Sequence, residues 1–368
     1  MNTLRINYVN LKAQWRDERN DLSPIIEEVM SSGQFIGGEP VERFEKSVAK
    51  LCDTKYCVAL NSGTDALVCG LIALGVQAGD EVITPPNSFI ASTGAIVHLR
   101  AKPVFVDVLP DQNIDPKNIE LAITEKTKAI MPVHLTGRVA AMKEILEIGN
   151  HFNIPVIEDA AQSVGSLYSG KPSGSFGKVG CFSVHPLKNL NACGDGGFIT
   201  TNDSKIASQI ISVRNHGLVD RDVVERFGYV SRMDALQASI LEFRLSKLPD
   251  IIRKRRNNAS IYYENLDKRH VYFPTESKKE FNTYHTFIIQ CDNRNELMKY
   301  LFEKGIETFI HYPIPIHLQP AAKNLGYSSG DLPISEMQAK KILSLPIHQY
   351  LTNDEILHIC ETVNNFFN

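Results

Sequence analysis

Between about residues 55 and 202, short apolar runs alternate with helical stretches, and no other feature of this chain constrains its fold as much. The runs are Tyr56–Leu60, Glu81–Thr84, Pro103–Val108, Ala129–Val133, Pro155–Ile157, Cys181–Val184 and Phe198–Thr200. Amphipathic segments such as Asp65–Leu74 and Ala140–His151 separate them. β-prone apolar runs joined by helical crossovers predict an α/β domain with a largely parallel, buried sheet. Turn residues fall where strands should begin: Ala78-Gly79-Asp80 precedes one run and Asn153-Ile154-Pro155 another.

After Gly217 the pattern changes. A charged helical region from about Met233 to Leu266 leads to Pro274. A strand is expected at Thr286–Gln290, a helix near Asn295–Gly305, a second strand at Thr308–Tyr312, and a last helix near Asn353–Phe367. A smaller α+β domain is therefore expected over residues 246–368, behind a large domain over 1–245. Two domains suit 368 residues at roughly 150 each.

Such a chain can bury a sizeable core without disulfides or structural metals. The seven cysteines are scattered, odd in number and free of any Cys-x-x-Cys pair, so neither a disulfide framework nor a metal site is expected. A net charge of -3 gives no footprint for nucleic acid. The short run Arg253-Lys254-Arg255-Arg256 is expected to be a solvated helix face. No run of 18 apolar residues could span a membrane, and the first residues lead into polar sequence. The expected compartment is the cytoplasm.

Three segments carry chemistry. Asn61-Ser62-Gly63-Thr64-Asp65-Ala66-Leu67 follows a strand and opens a helix, where free N–H groups and the dipole favour a phosphate. A plain N-cap accounts for the same residues. Pro155-Val156-Ile157-Glu158-Asp159 ends a buried strand with two acids, which strand alternation sends to opposite faces. One acid at the carboxyl end of a parallel strand stands where α/β ligand sites form; an acidic turn cap is the alternative. Lys188 lies just after an apolar strand and before Gly194-Asp195-Gly196-Gly197. A desolvated lysine can lose its proton and attack a carbonyl, whereas a lysine in a surface loop does nothing. No Walker-type loop and no strand-linked Gly-x-Gly-x-x-Gly competes for the phosphate reading. A phosphate cradle, an acid and a lysine together are what pyridoxal phosphate needs: an anchor, a partner for the ring nitrogen, and an amine for the aldehyde.

The chain resembles the DegT/DnrJ/EryC1/StrS family of sugar aminotransferases, over nearly its whole length. The motifs are Ser62–Leu67, Glu158-Asp159-Ala160-Ala161-Gln162, Lys188-Asn189-Leu190, Gly194–Gly197, Ser231-Arg232-Met233-Asp234 and His311–His317. The resemblance implies fold type I of the pyridoxal-phosphate transferases, with a mostly parallel central sheet and a smaller C-terminal α+β domain. It implies that Gly63, Thr64 and Ser183 bind phosphate, Asp159 the ring nitrogen and Gln162 the ring hydroxyl. Phe89 would stack on the ring, although a core phenylalanine is the alternative. Lys188 would hold pyridoxal phosphate as a Schiff base and shuttle the proton, with pyridoxamine phosphate between half-reactions. His185, Tyr312 and His317 would lie near substrate, a structural role being the alternative for either histidine. A homodimer with shared sites is implied, the Tyr229–Arg232 segment resembling the part donated across the interface. Val230 stands there where many members have asparagine.

The expected activity is transfer of an amino group from glutamate or glutamine to a nucleotide-linked keto-sugar. The resemblance favours a 3-keto over a 4-keto sugar. Gly194-Asp195-Gly196-Gly197 and Ser231-Arg232-Met233-Asp234-Ala235-Leu236-Gln237-Ala238 are similar to members acting on the third sugar carbon, while His185-Pro186 is more similar to some fourth-carbon members. Members of the resembled family that act as pyridoxamine-dependent dehydratases carry histidine in place of the lysine, so Lys188 argues against that activity. A non-catalytic cofactor-binding protein would have no need of Lys188, Asp159 and Gln162 together. A metal hydrolase built on His311 and His317 has the wrong spacing.

Overall fold

The computed structural model describes residues 5–368 of the chain. The first part of the fold is one twisted sheet built from β1 (Tyr56–Leu60), β2 (Glu81–Thr84), β3 (Lys102–Phe105), β4 (Thr127–Ile130), β5 (Ile157–Asp159), β6 (Val179–Ser183) and β7 (Gly197–Thr201). Ladders give the orders β3-β2-β4 and β5-β6-β7-β1. Parallel bridges Ile130↔Val156 and Val133↔Asp159 join the two groups. Only β7 runs against its neighbours, β6 and β1. The sheet is thus largely parallel, as the continuous apolar runs require.

Around it lie α1 (Leu11–Ser32), α2 (Glu39–Leu51), α3 (Gly63–Ala73), α4 (Ile90–His98), α5 (Pro116–Ala122), α6 (Met142–His151), α7 (Ser204–Val213) and α8 (Ala235–Asn265). Strand alternation divides β1 between two layers. Val58 and Leu60 join the core of α3 and α7, while Cys57 and Ala59 join that of α2 and α8. In the second layer Phe182 stacks on Phe198 at 4.5 Å between ring centroids, and Phe44 meets Phe198 edge-on at 5.9 Å. Full burial of such side chains stabilises by roughly 1.5–3 kcal/mol each.

The C-terminal part pairs β8 (Phe287–Gln290) with β9 (Ile342–Leu345), antiparallel, beside α9 (Arg294–Glu303), α10 (Pro333–Lys341) and α11 (Asn353–Phe367). Its core takes Ala259 and Tyr262 from the last turns of α8, together with Phe287, Leu297, Leu345 and Ile359. Position 245/246 falls inside α8, whose earlier residues Ala238, Leu241 and Leu248 pack in the sheet core. Ile6 joins the C-terminal core through a bridge to Ile306. The strand expected at Thr308–Tyr312 is reduced to a single bridge, Phe309↔Ser344, before the prolines at 313 and 315 divert the chain.

The basic run Arg253–Arg256 is not a uniformly solvated face. Arg253 and Lys254 are exposed, but Arg255 is buried and Arg256 lies over the Phe281 ring while pairing with Glu276. About 100° of rotation per residue points neighbours in a helix in different directions, so a four-residue run cannot share one face.

Candidate active site

A cavity of about 440 Å³ opens at the carboxyl ends of the parallel strands, where it is lined by Gly63, Thr64, Phe89, Asp159, Gln162, Ser183 and Lys188. Its floor begins at the N-terminus of α3. Ser62 is extended and its hydroxyl accepts the Asp65 N–H at 3.1 Å, so the cap is real. The first-turn amides of Gly63 and Thr64 have no place in the intrahelical ladder and remain for a ligand. A Cβ on Gly63 would lie 2.5 Å from Ser183 Cβ. Only glycine lets β6 bring the Ser183 hydroxyl this close to the helix start. A Cβ on Gly197 would lie 2.3 Å from the Ser62 carbonyl oxygen, so the glycines after Lys188 seat β7 directly under the same turn.

The two acids of β5 part as strand geometry demands. Glu158 is fully buried on the far face, where its carboxylate accepts N–H bonds from Gly174, Phe176 and Gly177 at 2.7–2.8 Å. It also accepts from His134 Nε2 at 2.9 Å, because His134 Nδ1 is taken up accepting the Ala140 N–H. Asp159 faces the cavity. Its Oδ2 accepts the Ser92 hydroxyl at 2.6 Å and its Oδ1 the Ala161 N–H at 3.2 Å. Burial pushes this carboxyl up, opposed by Ser92, Ala161, Lys188 and His134.

Lys188 stands in the same cavity. Desolvation pulls its pKa down to about 8, with Asp159 opposing. Its loop is pinned from below. The Lys188 N–H donates to the His185 carbonyl at 2.8 Å, and Asn189 Nδ2 donates to the Thr283 carbonyl at 2.9 Å. Asn191 Nδ2 donates to the Pro186 carbonyl and to Gln14 of α1. Arg244 of α8 closes this base, bonding the Asn191 carbonyl and the Glu18 carboxylate.

Gln162 Oε1 accepts the Thr136 N–H at 2.8 Å. Phe89 is 55% exposed and its ring lies 6.0 Å from that of Tyr312, so it is a wall residue and not part of the core. Burial raises the Tyr312 hydroxyl well above its ordinary value, with Asp159 adding to the shift and Gln162 opposing it. His185 lines the cavity near its exposed edge. His317 does not belong with them. It is buried away from the cavity, with Nε2 bonded to Glu336 at 3.1 Å and its ring against Phe105 and Tyr327. The family resemblance places His317 near substrate, but the turn delivers it to a packing role.

Sequence reasoning missed Ser92, Tyr8, Arg255 and His285. Ser92 follows Phe89 by one helical turn, a spacing that could have placed it on the cavity side. Arg255 was hidden in the basic run, and Tyr8 and His285 come from segments distant in the chain.

The DegT/DnrJ/EryC1/StrS aminotransferase family model matches residues 16–364. The chain belongs to this family. A relative in Geobacillus stearothermophilus, called a pleiotropic regulatory protein, is 39% identical over 99% of both chains. UDP-2-acetamido-2-deoxy-3-oxo-D-glucuronate aminotransferase of Pseudomonas aeruginosa is 38% identical over 98% of this chain and 100% of its own. The crystal structure of DesV from S. venezuelae, in complex with a ketimine intermediate, superposes with a TM-score of 0.97 at 36% identity, covering 99% of both chains.

Proposed function

We propose that this chain is a pyridoxal-phosphate aminotransferase that moves an amino group from glutamate or glutamine to a nucleotide-linked 3-keto sugar. One observation carries the reading. Around one cavity the fold gathers a lysine with a depressed pKa, a buried carboxylate and a helix N-terminus closed by Gly63 against Ser183. Those donors fit the cofactor, since phosphate needs N–H and O–H donors, a pyridinium nitrogen needs an anion, and an aldehyde needs a neutral amine.

Pyridoxal phosphate bound there supplies an aldehyde and an electron-accepting ring that carry the amino group between donor and acceptor. Gly63, Thr64 and Ser183 hold its phosphate. Asp159, kept in place by Ser92 and the Ala161 N–H, pairs with the ring nitrogen. Gln162, fixed by the Thr136 N–H, reaches the ring hydroxyl, and Phe89 covers the ring face. Lys188 Nζ takes a proton from the donor carbon and returns it in the reverse sense at the acceptor. A pKa of about 8 keeps that nitrogen able to do both near neutrality.

The 3-oxo substrate in the Pseudomonas relative's name supports the 3-keto choice. Asp195 also lines the cavity and is one carbon shorter than glutamate, leaving room for a different ring pose. The decisive experiment offers matched 3-keto and 4-keto sugar nucleotides with glutamate and reads products by mass spectrometry. Amination of the 4-keto compound alone would reverse the regiochemistry, leaving the aminotransferase standing. Lys188→Ala is expected to abolish turnover. A non-catalytic, regulatory role, the reading favoured by the Geobacillus relative's name, predicts no product from any pair.

A further inference from the structure

Arg255 is buried in α8, 7% exposed, yet it lines the cavity that holds Lys188. Its Nη1 donates to the backbone carbonyls of Tyr284 and His285 at 3.0 and 3.3 Å. Its Nε is buried without a partner. None of the ion pairs among the described residues includes it. Desolvation pulls its pKa down to about 10, and the nearby Tyr8 is itself held in its neutral form by burial, so it supplies no anion. A guanidinium taken out of water costs several kcal/mol unless an anion answers it, and two carbonyls do not supply one. Apart from Lys188, whose charge Asp159 answers, the cavity lining holds no other lysine or arginine to share an anion. Burial pushes His311 and His348 down to about 4 and His285 well below its ordinary value, so all three favour the neutral form. His285 also has a buried Nδ1 with no partner, and it feels the charges of both Lys188 and Arg255.

We propose that Arg255 is the carboxylate anchor of the substrate site, and that the carboxylate it binds is the α-carboxylate of the amino donor. This rests on the aminotransferase reading above. The planar fork of arginine matches a carboxylate in two parallel hydrogen bonds, where a lysine would offer one point charge. Every α-amino acid donor carries a carboxylate on the reacting carbon, whereas a keto-sugar carries one only if it is a uronate, and then away from the ketone carbon. Anchoring that group at Arg255 leaves the donor amine facing the Lys188 side of the same cavity and orients the carbon from which the proton is taken. Arg255 thereby selects α-amino acids over amines that lack the carboxylate.

The test uses the cofactor-loaded protein. Single-turnover loss of the visible cofactor absorbance is followed against L-glutamate and against 4-aminobutyrate, which lacks the α-carboxylate. Arg255→Gln is expected to raise the glutamate concentration for half-maximal rate roughly tenfold or more, the loss of about 1.4 kcal/mol of binding. It should also erase most of the preference over 4-aminobutyrate. Arg255→Lys, which keeps the charge, should fall between, and far-ultraviolet circular dichroism with the cofactor absorbance checks that both are folded. An unchanged glutamate dependence in folded Arg255→Gln overturns the proposal. So does a defect confined to the second half-reaction with a uronate acceptor, which would give the arginine to the sugar. Maleate, a dicarboxylate with no amine, supplies a readout independent of turnover and of the variants folding. It should bind the wild type and compete with glutamate, and failure to compete overturns the proposal. If no amino acid reacts with the wild type but maleate binds in an Arg255-dependent way, the carboxylate site stands and the aminotransferase reading falls.

Discussion

Asp159 and Lys188 are a buried acid and a desolvated base whose environments push their pKa values toward each other, one up and the other down to about 8. The direction for Lys188 fixes a pH dependence. Its charged form is the one penalised by burial, so below about 8 the amine is protonated and cannot attack an aldehyde. The rate at which apo-protein takes up pyridoxal phosphate should climb as pH rises toward about 8, roughly tenfold per unit well below that value, and level above it. Visible absorbance after rapid mixing measures this, and a flat profile would contradict the depressed value. Asp159→Asn should still fold, since an amide can keep a bond with Ser92, but it removes the anion from the ring nitrogen. Turnover should drop roughly 100-fold or more, the scale of losing one preorganised electrostatic partner. Near-normal steady-state rates would take Asp159 out of the site.

At the scale of elements the site is a set of close approaches. Strand β6 meets the start of α3 only because residue 63 has no side chain, and β7 seats beneath Ser62 only because residue 197 has none. Gly63→Ala must move Ser183 or the helix, at a cost of about 1–3 kcal/mol for overpacking. The expected result is a lowered melting temperature together with a weaker pyridoxal phosphate affinity, read by fluorescence titration. An unaltered affinity would show that the approach of β6 to α3 serves packing alone. The Lys188 loop depends equally on distant helices. Gln14 and Glu18 of α1 and Arg244 of α8 converge beneath it, so its position is set by contacts some 50 to 180 residues away in the chain.

The whole molecule leaves a group of large apolar side chains uncovered. Phe35, Ile36, Phe227, Tyr229 and Val230 are each about half exposed or more, with Phe227 fully so. Asn61, beside the α3 cap, donates to the Val230 carbonyl at 3.4 Å and accepts from Ser231, tying this segment to the edge of the cavity. Exposed apolar residues of this kind suit an association surface, and a homodimer sharing its sites is the assembly we propose. Phe227→Asp should shift sedimentation from dimer toward monomer and lower activity in step. An active wild-type monomer at working concentration would dismiss the dimer.

Much of this protein is legible in one dimension. The alternation of apolar runs determined the sheet, because a strand buried on both faces must be apolar throughout and a crossover helix must be amphipathic. Local spacing also determined that Glu158 and Asp159 would part, since a strand reverses its side chains at every residue. The motifs held Lys188, Asp159 and Gly63 because cofactor chemistry demands particular groups within a few residues of a strand end. What the tertiary structure alone decided are facts about neighbours. The same solvated-run reading that suits Arg253 fails for Arg255 two residues later, because burial depends on what packs over each side of α8. His317 stands in the most distinctive motif of the C-terminal region and still turns to Glu336, away from the cavity. A sequence states which groups are present and which way each side chain leaves the backbone; only the packed chain states what each one meets.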